Sequence, residues 1–297
     1  MLPEHYLTAG LDALARSHLT PESNKAFGDG HRGAAMLSAL FMVEDGLIDA
    51  RAEAPIRYLA DHWLSWPVFA PMAPEPAAPQ ELDRLLAALA RSMVTYQSHG
   101  VIFPSLALRA FRQRPDLITH SRIEGLLRIA EAYTPTEPSA EPLPADIAPR
   151  PYAAGPFADE VLAGFVVSTR AYRGFFQGYS GHILTHGQAI HDLHACGYGS
   201  LARKAEPGFR AYMADCALGL KGPNNVLNFA VTESPTTSIR PDQPDFWLSL
   251  TWDGADFAKG LGHILKYAYA FTTLSRHATD AAGLARAREM YFVTAWG

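Results

Sequence analysis

The chain has 297 residues, 48% hydrophobic and 19% charged, so it can bury a sizeable core and leaves few charges over for a solvated or disordered chain. Its 25 basic and 30 acidic residues give a formal charge of −5, and no Lys/Arg run is interleaved with aromatics, which argues against nucleic acid as a partner. Only two cysteines occur, Cys196 and Cys216, without C-x-x-C spacing; this argues against a disulfide framework or a thiolate zinc site and for a reduced, cytoplasmic setting.

The opening Met-Leu-Pro-Glu-His lacks the basic and apolar regions of a signal peptide. The longest apolar stretch, 33–43, falls short of the roughly 20 residues that span a bilayer, so no membrane partner is expected. From there helical periodicity dominates. Gly30-His31-Arg32-Gly33 opens a helix in which Ala34, Leu37, Leu40, Phe41 and Leu47 fall near i, i+3, i+4 steps. Residues 67–79 are Pro-rich and read as a connection, because proline removes a backbone donor and stops helix propagation. Leu82, Leu85, Leu86, Leu89 and Met93 mark a further helix, and Ser98-His99-Gly100 opens the next. Ser121 with Glu124 reads as a capping box ahead of Leu126, Leu127 and Ile129, with Asp116 and Thr119 in the turn before it.

Residues 135–156 hold seven prolines among small and acidic residues. Both flanks carry the same kind of motif, so we read this stretch as a long loop within one domain, 1–297, joining halves of about 1–134 and 157–297. Tyr172, Phe175, Phe176 and Tyr179 then lead into Gly181-His182; core packing accounts for them, although they would also line an apolar substrate pocket. His191 and His194 follow as packing or surface residues. A third Pro-rich connection covers 223–244, and strand-like alternation is confined to 225–232 and 246–251. Gly262-His263-Ile264-Leu265-Lys266 opens the last helix of this kind.

The fold class is therefore all-α, with long Pro-rich loops. His31, His99, His182 and His263, separated by 68, 83 and 81 residues, each open an Ala-rich or apolar helix. Repetition at this interval suggests helical hairpins that are stacked or arranged in a circle. If the arrangement closes on itself, the four helix starts meet around one axis, and so do their histidines.

Imidazole is the commonest transition-metal ligand, and neutral histidines without thiolates suit iron, zinc, copper or manganese. His182 and His186 are i, i+4 neighbours on one helix face, and His263 and Lys266 are i, i+3 neighbours on another. An ammonium repels a metal cation. Lys266 therefore either sits away from the metal or is neutral through burial and takes up carbon dioxide as an anionic carbamate. Glu44, Asp45, Asp192 and Asp256 could orient ligand imidazoles, but solvated helix charges are the simpler reading. No phosphate-binding glycine fingerprint follows a strand, and no G-x-S-x-G element is present.

These histidine-led helices, with His-Ile-Leu-Lys-Tyr near the C-terminus, resemble the questin oxidase-like family. That family includes helical non-haem iron oxygenases that cleave anthraquinone-type polyketide rings. The resemblance implies ferrous iron (Fe2+) held by His31, His99, His182 and His263, with Lys266 as a carboxylated ligand. It also implies an aromatic, phenolic small-molecule substrate and dioxygen as partners. His186 is the candidate for deprotonating a substrate phenol. Two alternatives remain on the same scaffold: a zinc-type hydrolase or lyase, and a metal-free helical-repeat binding protein whose histidines only cap helices.

Overall fold

The computed structural model describes residues 4–19, 28–94, 99–134, 151–172, 178–219, 240–249 and 262–295. Twelve α-helices lie within them. They are α1 (His5–Arg16), α2 (Gly28–Glu44), α3 (Glu53–Leu64), α4 (Pro79–Ser92), α5 (His99–Gln113) and α6 (His120–Tyr133), then α7 (Ala154–Ala171), α8 (Gly178–Ala195), α9 (Gly199–Ala217), α10 (Pro244–Ser249), α11 (His263–His277) and α12 (Ala281–Ala295). Among the described residues there is no strand, only one isolated bridge between Pro76 and Thr119. No described helix is long and apolar enough to cross a membrane, and Cys196 and Cys216 form no disulfide.

Two local expectations change. Residues 246–249 fall in the short helix α10, where Pro244 opens the helix and Trp247 is fully buried with its indole donating to the Pro241 carbonyl at 2.7 Å. The alternating pattern there reflects a buried face on a single helical turn. The strand-like 225–232 lies outside the described residues, as do Phe175, Phe176, Asp256 and all of 135–150. The capping box is also displaced. Thr119, in an extended conformation, caps α6 and its side chain accepts from the Arg122 amide, whereas Ser121 donates to the Ala73 carbonyl and Glu124 pairs with Arg84.

Four helices make the centre. α2 packs on α5 and α11, and α8 packs on α5 and α11, so the four form a circuit. All four run the same way. Their histidine-bearing N-terminal ends contact one another, and their far ends are tied together by Arg109, Asp45, Asp192 and Arg276. The circuit also draws together the two halves of the sequence, since α2 and α5 precede 135–156 and α8 and α11 follow it. α1, α4 and α6 cover one side, with α7, α9 and α12 covering the other.

Burial follows residue type. Along α2 every residue from Gly33 to Met42 is buried, as expected for a helix that is apolar all round. α4 instead shows one stripe, with Leu85 and Leu89 at 0% exposure and charged residues opposite. α1 and α6 are joined by a buried ion pair in which Arg122 Nε donates to Asp12 at 2.7 Å while Arg122 also donates to the Leu117 carbonyl at 2.8 Å. Asp12 accepts a further hydrogen bond from the Met72 amide at 3.2 Å. With its lone pairs and donors shared out in this way, the pair tolerates burial.

Candidate metal centre

The four histidines come together at the head of the central circuit. Ring centroids lie 4.5 Å apart for His31 and His99, 4.7 Å for His99 and His182, 5.0 Å for His31 and His263, and 6.1 Å for His182 and His263. His182 Nε2 is 3.0 Å from His99 Nε2, and Lys266 Nζ bonds His31 Nδ1. Phe103, one turn along α5, closes the inner side with an edge contact to His31 at 5.3 Å and a tilted contact to His99 at 5.2 Å. His31 and Lys266 are buried, at 3% and 4% exposure, and His99, His182 and His263 are half-buried.

The glycines beside the histidines have a packing role. A side chain at Gly181 would overlap the Tyr267 ring, and one at Gly262, which has φ +68°, would sit within 2.5 Å of both Ala35 and Trp63. Gly30 and Gly100 similarly leave room for Phe103 and Tyr133. Helix starts this close require missing side chains, and this is the physical content of the His-Gly repetition. Gly181→Ala is expected to destabilise the fold by about 1–3 kcal/mol, since the fully enclosed Tyr267 ring must move. Thermal unfolding should show a midpoint lower by several degrees.

Electrostatics favour neutral donors. Desolvation, with Lys266 and the neighbouring rings adding to it, holds His31 well below the ordinary histidine pKa. Desolvation with His182 nearby does the same for His99, and desolvation with Lys266 nearby lowers His182 to about 4. Burial likewise holds the Lys266 amine well below the usual lysine range. Four converging helix N-termini add positive potential, which further disfavours protonation and favours an anionic ligand.

The donor set accordingly fits a transition metal. It consists of neutral imidazoles plus a neutral amine, all with lone pairs available. Two nitrogens bound at right angles to one metal, each at about 2.1 Å, stand about 3 Å apart, which matches the His99–His182 separation. The donors nevertheless face one another: among the described residues, no three His, Cys, Asp or Glu side chains already aim at one point as a metal would require. No carboxylate takes part in the contacts described for His31, His99, His182 or Lys266.

His186 sits one turn beyond His182, fully buried, and packs on Phe209 of α9 at 5.0 Å. Neither of its ring nitrogens meets a hydrogen-bond partner among the described residues. Burial, with His182 adding to it, lowers its pKa to about 3.

The acidic residues lie elsewhere. Asp192 is not a solvated charge: it is 3% exposed at the far end of the circuit and accepts from Gln188 at 2.6 Å and Tyr269 at 2.7 Å. Arg109 lies 3.6 Å from Asp192 and 2.6 Å from Asp45. Burial raises Asp192 to about 6 against the pull of Arg109. Arg276 donates to the carbonyls of Asp45 and Gly46 at 2.7 and 2.6 Å, placing a cation at the C-terminus of α2. Glu44 is exposed, as expected. A cleft of about 440 Å³ opens here, bordered by Arg109, Arg112, His191, Cys196 and His277. Its arginines are set against two carboxylates and against helix C-termini, so we read this end as the brace that holds the four helices in register.

Sequence reasoning passed over Phe103 and Tyr267. Tyr267 is fully buried and stacks on His263 at 5.2 Å with the planes 22° apart. Its i+4 spacing from His263 was the available signal. Compared with family models, curated proteins and solved structures, the chain matches none.

Proposed function

We propose that the chain is a non-haem iron-dependent oxygenase acting on an aromatic or polycyclic phenolic substrate of the anthraquinone type. The observation that carries this reading is the meeting of four imidazoles and one desolvated lysine at the head of one helix circuit. The resemblance of the histidine-led helices to questin oxidase-like proteins supports it from the side of sequence.

His31, His99, His182 and His263 would hold the metal, and Lys266 would complete the set. A neutral Lys266 amine attacks carbon dioxide, a nitrogen–carbon bond forms, and one proton leaves to solvent. The product is an anionic oxygen donor, where the contacts described for His31, His99, His182 and Lys266 include no carboxylate. Bound iron would supply the redox chemistry with dioxygen that no side chain provides. Phe103 and the rings around it would keep water from the inner side of the cluster.

His186 would accept the substrate's phenolic proton at a ring nitrogen. Its low pKa belongs to a site without an adjacent anion, and a phenolate formed beside it stabilises the imidazolium and raises that value. An oxygen electrode tests the reading. Iron-loaded protein should consume dioxygen only when a hydroxyanthraquinone is present, and His186→Gln should slow turnover by about 100-fold while keeping its iron. Oxygen-independent turnover supported by zinc would instead establish the hydrolase or lyase alternative.

A further inference from the structure

Buried and half-buried tyrosines in this fold usually give their hydroxyls a partner. Tyr6 donates to Asp61, Tyr152 pairs with His191 at 2.6 Å, Tyr212 donates to the Tyr179 carbonyl at 3.0 Å, and Tyr269 donates to Asp192 at 2.7 Å. Tyr267 and Tyr291 differ. Each is 1% exposed, and neither hydroxyl meets a hydrogen-bond partner among the described residues. A buried hydroxyl without a partner is worse for folding than the phenylalanine that would fill the same space, so two together call for a cause outside the fold itself.

Their placement supplies one. Tyr267 lies parallel to His263, over the backbone of Gly181, which exists as glycine to admit the ring. One turn further along α11, Phe271 packs on Tyr291 of α12 with centroids 4.4 Å apart. Tyr267 therefore stands at the edge of the histidine cluster, and Tyr291 follows it one turn deeper along the same seam.

We propose that the Tyr267 and Tyr291 hydroxyls form a polar subsite that donates hydrogen bonds to an acceptor oxygen, a quinone carbonyl or phenolate, of the aromatic molecule taken up beside the histidines. This rests on the reading of the cluster as a site for such aromatics. The stability lost to the unpaired hydroxyls would be recovered when the oxygen arrives, so the pair selects oxygenated rings over plain hydrocarbons.

Titration of the full-length protein with alizarin, a dihydroxyanthraquinone whose visible absorption reports its environment, tests the subsite. Wild type should bind, and Tyr267→Phe and Tyr291→Phe should each bind about tenfold more weakly, the loss of one hydrogen bond. Both variants should melt at the wild-type temperature or above, since each removes an unpaired buried hydroxyl. Tyr58→Phe, at a site 63% exposed, should match wild type in both measurements. Wild-type affinity in both variants would overturn the subsite and leave the functional reading standing. Unchanged affinity with a lowered melting temperature would overturn it too, by showing that the hydroxyls hold an internal water. Failure of the wild type itself to bind would remove the aromatic reading on which the subsite depends.

Discussion

His99→Ala and His263→Ala are each expected to lose at least nine-tenths of the bound metal while keeping a helical far-ultraviolet spectrum, since removing even a group that only supports a ligand typically costs about 10–100-fold in affinity and removing the ligand itself costs no less. His99 is the more informative of the two. Its Nε2 is 3.0 Å from His182 Nε2 and its ring touches those of His31, His182 and Phe103, so its removal breaks the cluster at its most connected point. The fold should survive, because the circuit is also braced at its far end by Arg109, Asp45, Asp192 and Tyr269. His120 is the control: it is exposed and pairs with Glu81 at 2.9 Å on the protein's surface. Metal content and circular dichroism of the three variants settle the matter. Wild-type metal in both His99→Ala and His263→Ala would mean that the imidazoles meet without serving as ligands.

Lys266 gives the second large effect. Its amine bonds His31 Nδ1 in a buried position where burial removes the charge that a surface lysine keeps. Lys266→Ala should lose activity and most of the metal. Bicarbonate with a short-chain carboxylic acid should restore part of both by refilling the vacated position. Lys266→Arg should be inactive as well, because guanidinium stays protonated, cannot form a carbamate, and would place a fixed cation against His31. Isotope-labelled bicarbonate adds a readout independent of turnover: the wild type should show a carbamate carbon signal, and both variants should lack it. A fully active Lys266→Arg would return the lysine to an ordinary packing role.

The part of this site that sequence discloses is the part carried by local pattern. A histidine beside glycine at the head of an apolar helix is visible at His31, His99, His182 and His263, and the structure brings those four together. Sequence left His182 and His186 equivalent; in the packing His182 faces His99, whereas His186 turns one step around α8 toward Phe209. The reason for the glycines was also hidden, since Gly181 answers to Tyr267, 86 positions away.

The brace at the other end left no sequence signature. Arg109 meets Asp45 and Asp192 across separations of 64 and 83 positions, and nothing local distinguishes Asp192 from a solvated helix charge. The two local misreadings share a cause. Short alternation at 246–249 and the Ser121/Glu124 pair are compatible with a strand and a capping box, and tertiary packing decided both otherwise.

The claim that the cluster is an iron centre is tested most directly by elemental analysis of freshly purified full-length protein, before and after dialysis against a chelator. Roughly one iron per chain is expected, lost on chelation and restored by ferrous iron together with bicarbonate. Protein that retains no stoichiometric metal, or that holds only zinc and does not exchange it for iron, would contradict it.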